Sequence, residues 1–140
     1  MSLALFSIHP EYTDLILSGT KKVEFRKVRP KKAISCIVIY STSPTSKVVG
    51  LAKIKHVEGG SPQDIWRKFE KVGGISHEAY LSYFDGKDVA YALVIDKVFK
   101  LESPLCLADL DKELKPPQSF IYIDSSLEEF CETYITAHFE

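Results

Sequence analysis

The segment from Gly19 to Arg26 places a carboxylate among cationic side chains, directly after a predicted helix end. Glu24 lies between Lys21 and Arg26 in the spacing Gly-x-Lys-x-x-Glu-x-Arg. A carboxylate flanked by cations stays ionised, because nearby opposite charges favour its charged form. It can orient the cations and accept a hydrogen bond from a ligand amine. The segment therefore indicates a site for a polar, planar ligand group.

A strand and a helix must position these side chains. The apolar residues 3–8 predict a first strand. Pro10 and Glu11 suit the first turn of a following helix, since proline fits there and an acid complements the helix dipole. Gly19 predicts the end of that helix.

The position of Lys21 carries a geometric requirement. In a regular strand Glu24 and Arg26 share one face, whereas Lys21 faces the other. Lys21 can therefore join Glu24 only if it lies in the turn before the strand begins. Gly19 permits such a turn, because glycine readily adopts the left-handed conformation. The competing interpretation is an ion pair of Glu24 with a cation that only holds the sheet together.

The remaining patterns predict a sheet without the regular alternation of a doubly wound fold. Strands are predicted around Val23 and Phe25 and at residues 3–8, 34–40, 47–57 with an interruption at Gly50, 88–101 and 119–123. Helices with serine caps are predicted from Ser61, Ser76 and Ser125. The chain is thus predicted to be one α+β domain over residues 1–140, a small mixed β-barrel of about six strands with peripheral helices.

Two further segments carry polar groups that can contact a ligand. A loop of small hydroxyl residues follows the predicted central strand, and its hydroxyls and amides suit a phosphate or a base edge. A glutamine follows the double proline at 116–117 and can read a base through a paired donor and acceptor. The alternatives are a simple loop and a strand-end cap. The candidate contacts are Tyr40, Ser41, Thr42, Ser43, Gln118 and Ser119.

The net charge of −1 hides an uneven distribution. Residues 21–32 hold seven cations and Glu24, whereas residues 101–140 hold nine acids and two lysines. The basic stretch suits phosphate. It can also be a strand edge guarded by lysines, and the net charge near zero favours a small-ligand sensor or protein-interaction domain over nonspecific nucleic-acid binding.

Several classes of protein are not expected. No apolar run approaches the roughly 20 residues that span a bilayer, so no membrane association is expected. The amino-terminal residues do not resemble a signal peptide, and a cytoplasmic location is predicted. Histidine and cysteine spacings match no metal site, and no cofactor is expected. The cysteines are predicted to be free, buried thiols: Cys36, Cys106 and Cys131.

The spacing Gly19-x-Lys21-x-x-Glu24-x-Arg26 resembles the signature of ASCH domains, members of the PUA-like superfamily. The opening strand and helix, the central strand with its hydroxyl loop, and the closing sequence PPQSF also resemble a bacterial, archaeal and phage branch. The resemblance implies a PUA-like β-barrel with a cleft lined by Lys21, Glu24 and Arg26. It implies RNA or a modified nucleotide as partner, with DNA as an alternative, and some members are described as transcriptional regulators.

An enzymatic alternative follows from the same resemblance. One branch hydrolyses the amide of N4-acetylcytidine with a lysine, a threonine three residues later and a distant glutamate. Lys21 matches the lysine, but Glu24 stands in place of the threonine. Gly73 and Gly74 lie near the expected position of the acid, and Glu70 is the nearest carboxylate before them. An amidohydrolase would thus use Lys21 and Glu24, and the sequence leaves open whether the chain is an enzyme. The oligomeric state is also open.

Overall fold

The computed structural model describes residues 3–123. The elements in chain order are β1 (Leu3–Ile8), α1 (Pro10–Leu17), β2 (Val23–Arg26), β3 (Cys36–Ser41), β4 (Lys47–Gly60), α2 (Pro62–Phe69), α3 (His77–Tyr83), β5 (Ala90–Leu105), α4 (Leu107–Leu110) and β6 (Phe120–Tyr122). In this part of the chain, no helix has the length and apolar character needed to cross a bilayer.

The six strands form one mixed sheet in the order β2-β5-β4-β3-β1-β6. β1 and β3 are parallel, and the other neighbours are antiparallel. The sheet curls and brings β2 close to β1 and β6: Arg26 in edge strand β2 donates hydrogen bonds to Ser7 in β1 and to Ser119 just before β6. This curled half-barrel confirms the predicted mixed α+β fold of about six strands with peripheral helices.

The strand bounds differ from the predicted ones where pairing extends a strand. β4 runs to Gly60 and β5 runs from Ala90 to Leu105, because these two long strands pair from Gly60–Ala90 to Val48–Leu105. The predicted interruption at Gly50 is a shift of register between Val48 and Gly50. β3 begins at Cys36, two residues later than predicted.

The serine caps of α2 and α3 confirm the predicted helix starts. The hydroxyl of Ser61 accepts a hydrogen bond from the Asp64 amide, and that of Ser76 accepts one from the Ala79 amide. Both helices pack an apolar cluster against β2 and the start of β5. This cluster comprises Val23, Phe25, Ile65, Phe69, Tyr80, Phe84, Ala90 and Ala92.

The prediction of buried thiols is correct for Cys36 and wrong for Cys106. Cys36 is buried, whereas Cys106 is a free thiol that is exposed. Cys106 caps the short helix α4, which the sequence left ambiguous, and its sulfur lies 3.3 Å from Nζ of Lys47. Cys131 and the helix predicted from Ser125 lie outside the described residues.

Tyr80→Phe is expected to make the free energy of unfolding less sensitive to alkaline pH. The Tyr80 side chain is fully buried, and its hydroxyl donates a 2.7 Å hydrogen bond to the carbonyl of Pro62. Burial raises the pKa of Tyr80 from 10.0 to about 12. The unfolded chain therefore releases this proton first, and stability falls as the pH rises from about 10 to about 12.

Urea unfolding at several alkaline pH values tests this effect. In that range, the raised pKa of Tyr80 should lower the free energy of unfolding of the wild type by up to about 1.4 kcal/mol per pH unit. Tyr80→Phe should lose about 1 kcal/mol at neutral pH, through the missing hydrogen bond, but should show a shallower alkaline decline. Equal alkaline slopes for the two proteins would contradict the assignment.

Candidate ligand-binding site

The turn before β2 directs Lys21 into the protein. Gly19 ends α1 with a φ of 85°, which favours glycine. The amide of Lys21 then donates to the carbonyl of Leu15 at 2.9 Å, and the amide of Lys22 donates to the carbonyl of Val72 at 2.8 Å. Lys21 is consequently buried, whereas Lys22 stays exposed.

Three charged side chains from β2 and the turn before it converge, and we call Lys21, Glu24 and Arg26 the ionic cluster. Oε2 of Glu24 accepts hydrogen bonds from Nε and Nη2 of Arg26 at 3.1 and 2.8 Å. Oε1 of Glu24 lies 4.0 Å from Nζ of Lys21. The side chains of Lys21, Glu24 and Arg26 are only 2%, 9% and 10% exposed, so the cluster is enclosed rather than an open cleft.

Arg26 connects the two edges of the curled sheet. Its Nη1 donates to Oγ of Ser119 at 2.9 Å, and its Nη2 donates to the carbonyl of Ser7 at 3.0 Å. The guanidinium carbon lies 4.8 Å from the centroid of the Phe6 ring. Arg26 therefore has a structural role as well as its contact with Glu24, as the competing interpretation of the motif expected.

The ionic cluster retains hydrogen-bonding capacity. Nζ of Lys21 carries three N–H bonds, and within residues 3–123 it donates only to the carbonyl of Gly73. Among the residues that the structure describes, the two hydrogen bonds that the Glu24 carboxylate accepts both fall on Oε2. The distance of 4.0 Å between Nζ and Oε1 is too long for a hydrogen bond. An N–H donor and a carboxylate acceptor thus lie side by side, each with capacity for a further partner.

Aromatic rings enclose the cluster. Nζ of Lys21 lies 5.3 Å from the ring centroid of Tyr12 and 5.0 Å from that of Phe25. Burial lowers the pKa of Lys21 below its usual value, an effect that Glu24 opposes and the charge of Arg26 reinforces. The ammonium group is therefore held in an environment that disfavours its charge.

Two partly exposed tyrosines stand near Glu24, and sequence reasoning did not identify either as a site residue. Burial raises the pKa of Tyr12, and the charges of Glu11 and Glu24 raise it further. Burial also raises the pKa of Tyr83, with Arg26 opposing and Glu24 adding to the effect. Tyr83 ends α3, more than 50 residues from the motif in sequence, and no local pattern places it there.

A second feature adjoins the cluster, a cavity of about 340 Å³ that we call the hydroxyl cavity. Ser7 joins the two features, because its carbonyl accepts from Arg26 and its hydroxyl donates to the carbonyl of Pro117. Nδ1 of His9 lies 3.4 Å from Oγ1 of Thr42 in this cavity. The lining residues are Ser7, His9, Tyr40, Thr42, Ser43, Ser46, Pro116, Pro117 and Gln118.

The structure brings most of the candidate contacts to one region. Tyr40, Thr42, Ser43 and Gln118 line the hydroxyl cavity, and Ser119 contacts Arg26 between the cavity and the cluster. Ser41 differs, because its side chain turns inward. It is 1% exposed, and its hydroxyl lies 3.1 Å from that of Thr13. Ser41 is therefore not available to a ligand in this conformation.

The loop between α2 and α3 supplies a backbone carbonyl where the acetylcytidine hydrolases would have an acid. The carbonyl of Gly73 accepts from Lys21. A Cβ atom at Gly74 would lie 2.7 Å from Cβ of Lys21, so a glutamate does not fit there without rearrangement. Glu70 is exposed. Among residues 3–123, Glu24 thus stands at the position of the threonine, and glycines lie near the expected position of the acid.

Gly74→Ala is expected to destabilise the protein more than Gly86→Ala. Both glycines have positive φ angles, 62° and 76°, so either alanine incurs about 1 kcal/mol or more of backbone strain. Only at Gly74 does the new methyl group meet Lys21, and such overpacking costs about 1–3 kcal/mol more. Chemical denaturation measures the free energy of unfolding of both variants. Equal decreases would show that the Lys21 side chain moves away from the new methyl group without an energetic cost.

The fold and the site together define a class of protein. A curled mixed sheet, with a buried lysine, glutamate and arginine of this spacing in the turn and strand that follow its first helix, is consistent with the PUA-like superfamily. Residues 6–99 match the family model described as the ASCH domain. This match covers more than half of the chain, and the chain belongs to the ASCH domain family.

Known relatives cover most of this chain. It is 36% identical over 120 residues to a Ureaplasma parvum serovar 3 protein named large ribosomal subunit protein uL22. This match spans 85% of this chain but only 38% of the length of the relative. It is 32% identical over 127 residues to the ASCH domain-containing ribonuclease of Zymomonas mobilis, spanning 86% of this chain and 83% of the relative. The crystal structure of ASCH from Zymomonas mobilis matches with a TM-score of 0.86 at 28% identity, covering 94% of each chain.

Proposed function

We propose that the chain is an RNA-binding module that recognises a base, including a base of a modified nucleotide, at the ionic cluster. The observation that supports this proposal is a pair of adjacent groups that can each form a further hydrogen bond. They are Nζ of Lys21 and Oε1 of Glu24, which lie 4.0 Å apart in an enclosed site. The Zymomonas mobilis relative named a ribonuclease supports RNA as the ligand class.

The energetic cost of the cluster supports a role beyond stability. Removing charges from water is expensive, and a buried ion pair is often no more stabilising than a well-packed apolar group of similar volume. Ionisable groups with perturbed pKa values cluster at functional sites. Lys21 fits this pattern, because burial lowers its pKa and its ammonium group retains N–H bonds without a partner in the described residues.

The edge of a base complements these two groups. Single-stranded RNA exposes base edges that carry donors and acceptors side by side. A ring nitrogen or carbonyl oxygen would accept from Nζ of Lys21, and an exocyclic amine would donate to Oε1 of Glu24. Tyr12 and Tyr83, whose pKa values the charge of Glu24 raises, carry aromatic rings on which a base can stack. The hydroxyl cavity would take the attached sugar and phosphate through Thr42, Ser43 and Gln118.

A titration with fluorescently labelled single-stranded RNA at two salt concentrations tests the proposal. We expect saturable binding that weakens as salt increases but persists in part at high salt. The reason is that phosphate contacts are screened, whereas contacts within the enclosed cluster are screened much less. Absence of binding at both salt concentrations would contradict the proposal.

A second candidate function is metal-independent RNA cleavage at the hydroxyl cavity. The specific observation is His9, whose Nδ1 lies 3.4 Å from Oγ1 of Thr42 at the cavity that adjoins the cluster. In this reaction the imidazole would take the proton of a 2′-hydroxyl. The 2′-oxygen would attack phosphorus, the bond to the 5′-oxygen would break, and that oxygen would take a proton from water.

Incubation of RNA with the protein in the presence of a chelator separates cleavage from binding. Cleavage would produce 2′,3′-cyclic phosphate ends and would be lost in His9→Ala. His56→Ala is the matched control, because His56 lies outside the cavity, in an exposed pair with Glu58. Intact RNA would leave binding without chemistry, whereas equal cleavage by His9→Ala would reject His9 as the group that takes the proton.

A further inference from the structure

A second concave surface lies beside the ionic cluster, on the side of the exposed Lys22. It is a groove of about 420 Å³ whose floor is apolar and whose rim carries the exposed lysines Lys22, Lys55 and Lys97. We call it the basic groove. Lys21 and Lys22 both line it, so it continues from the segment that carries the cluster. The floor is formed by Ile16, Val23, Phe69, Val72, Val94, Ile95 and Val98.

Two irregularities of the sheet build this groove. β4 and β5 pair as Lys53–Lys97, Ile54–Ile95 and His56–Val94, and the register shifts twice in this stretch. Asp96 and Lys55 are thereby left out of the pairing. Bulges of this kind re-aim side chains and are frequent near functional sites. Here they place Lys55 and Lys97 on the same groove.

The groove is lined by more cations than acids. Within residues 3–123, no carboxylate lies within 4.0 Å of the ammonium groups of Lys22, Lys55 or Lys97, and Asp96 is the one acid that lines the groove. Concave surfaces lined by one sign of charge focus their field and concentrate counter-ions. A surface that gathers lysines around an apolar floor is suited to a chain that alternates phosphates with apolar sugar faces.

We propose that the basic groove holds the sugar–phosphate backbone of single-stranded RNA next to the base bound at the ionic cluster. This inference rests on the proposed function and adds a separate set of contacts to it. The groove fits a single strand, because the convex surface of a double helix would not enter a concave site of this size. Lys22 lies next to Lys21 in sequence. The residues that contact the RNA backbone and those that contact the base would therefore be neighbours.

The triple variant K22Q/K55Q/K97Q tests the inference against K87Q/K100Q/K112Q. The control removes the same charge from exposed lysines that line neither the basic groove nor the hydroxyl cavity. The logarithm of RNA affinity is measured against the logarithm of salt concentration. Each phosphate contact to a single strand contributes about 0.7 to the slope. We expect the groove variant to have a slope shallower by about 2, and the control to match the wild type.

An abasic sugar–phosphate oligomer separates this inference from the proposed function. The groove should bind it in a salt-dependent manner, K22Q/K55Q/K97Q should lose that binding, and Glu24→Gln should retain it. Loss in the groove variant alone would support the inference even if base recognition at the cluster failed. No binding of the oligomer at low salt, or equal salt slopes for the two triple variants, would overturn the inference about the basic groove. Base recognition at the ionic cluster would still be tested separately by the RNA affinity of Glu24→Gln.

Discussion

Glu24→Ala should lower the free energy of unfolding by about 3–5 kcal/mol, the cost of removing one partner from a buried ion pair. The substitution would leave Lys21 and Arg26 as enclosed cations without their carboxylate. It would also remove the two hydrogen bonds that Arg26 donates to Glu24 and leave its guanidinium group, which joins the two edges of the curled sheet, with its bonds to Ser7 and Ser119. Urea denaturation followed by circular dichroism measures the loss.

Glu58→Ala is the matched control for this stability effect. Glu58 also contacts two basic side chains, with His56 at 2.8 Å and Lys68 at 2.6 Å, but this network is exposed to solvent. Exposed ion pairs contribute about 0–1 kcal/mol. Similar small losses for Glu24→Ala and Glu58→Ala would show that burial does not set the strength of the ionic cluster.

Glu24→Gln should weaken RNA binding by about 10- to 100-fold. The two donors of Arg26 hold the amide oxygen of the new side chain in place of Oε2, so its NH₂ group would replace Oε1. An acceptor for a base amine thus becomes a donor. A hydrogen bond to a charged group contributes about 1.5–3 kcal/mol, and each 1.4 kcal/mol is about tenfold in affinity.

The salt dependence of binding identifies the cause of this loss. Glu24→Gln removes no phosphate contact, so the salt slope should stay that of the wild type while the affinity falls. Glu58→Gln removes the same charge from the surface and should leave RNA affinity within about twofold of the wild type. Unchanged or tighter binding by a folded Glu24→Gln would mean that charge alone, rather than a base contact, governs the affinity.

The convergence of Lys21 with Glu24 follows from local rules. Alternation in a strand places Lys21 on the wrong face, and Gly19 supplies the left-handed residue that lets the lysine lie before the strand. The observed φ of 85° at Gly19 agrees with this reasoning. The short elements with strong caps, such as α2 from Ser61, are local in the same sense.

Other parts of the site depend on contacts that are distant in sequence. The carbonyl of Gly73 is 52 residues from Lys21, and Tyr83 comes from the end of α3. The bulges at Lys55 and Asp96 arise from pairing between two long strands, which no single segment encodes. Ser41 shows the opposite case, because a polar residue expected in a loop is the buried last residue of β3. Local patterns specify elements, whereas the packing of elements decides which polar groups remain available.

A crystal structure of the protein with a short single-stranded RNA tests base recognition most directly. We expect the edge of one base within about 3.2 Å of both Nζ of Lys21 and Oε1 of Glu24, at normal hydrogen-bond distances. Tyr12 or Tyr83 should contact the face of that base. RNA bound elsewhere, with Lys21, Glu24 and Arg26 in their unliganded arrangement, would contradict the proposal and leave the ionic cluster as a structural ion pair.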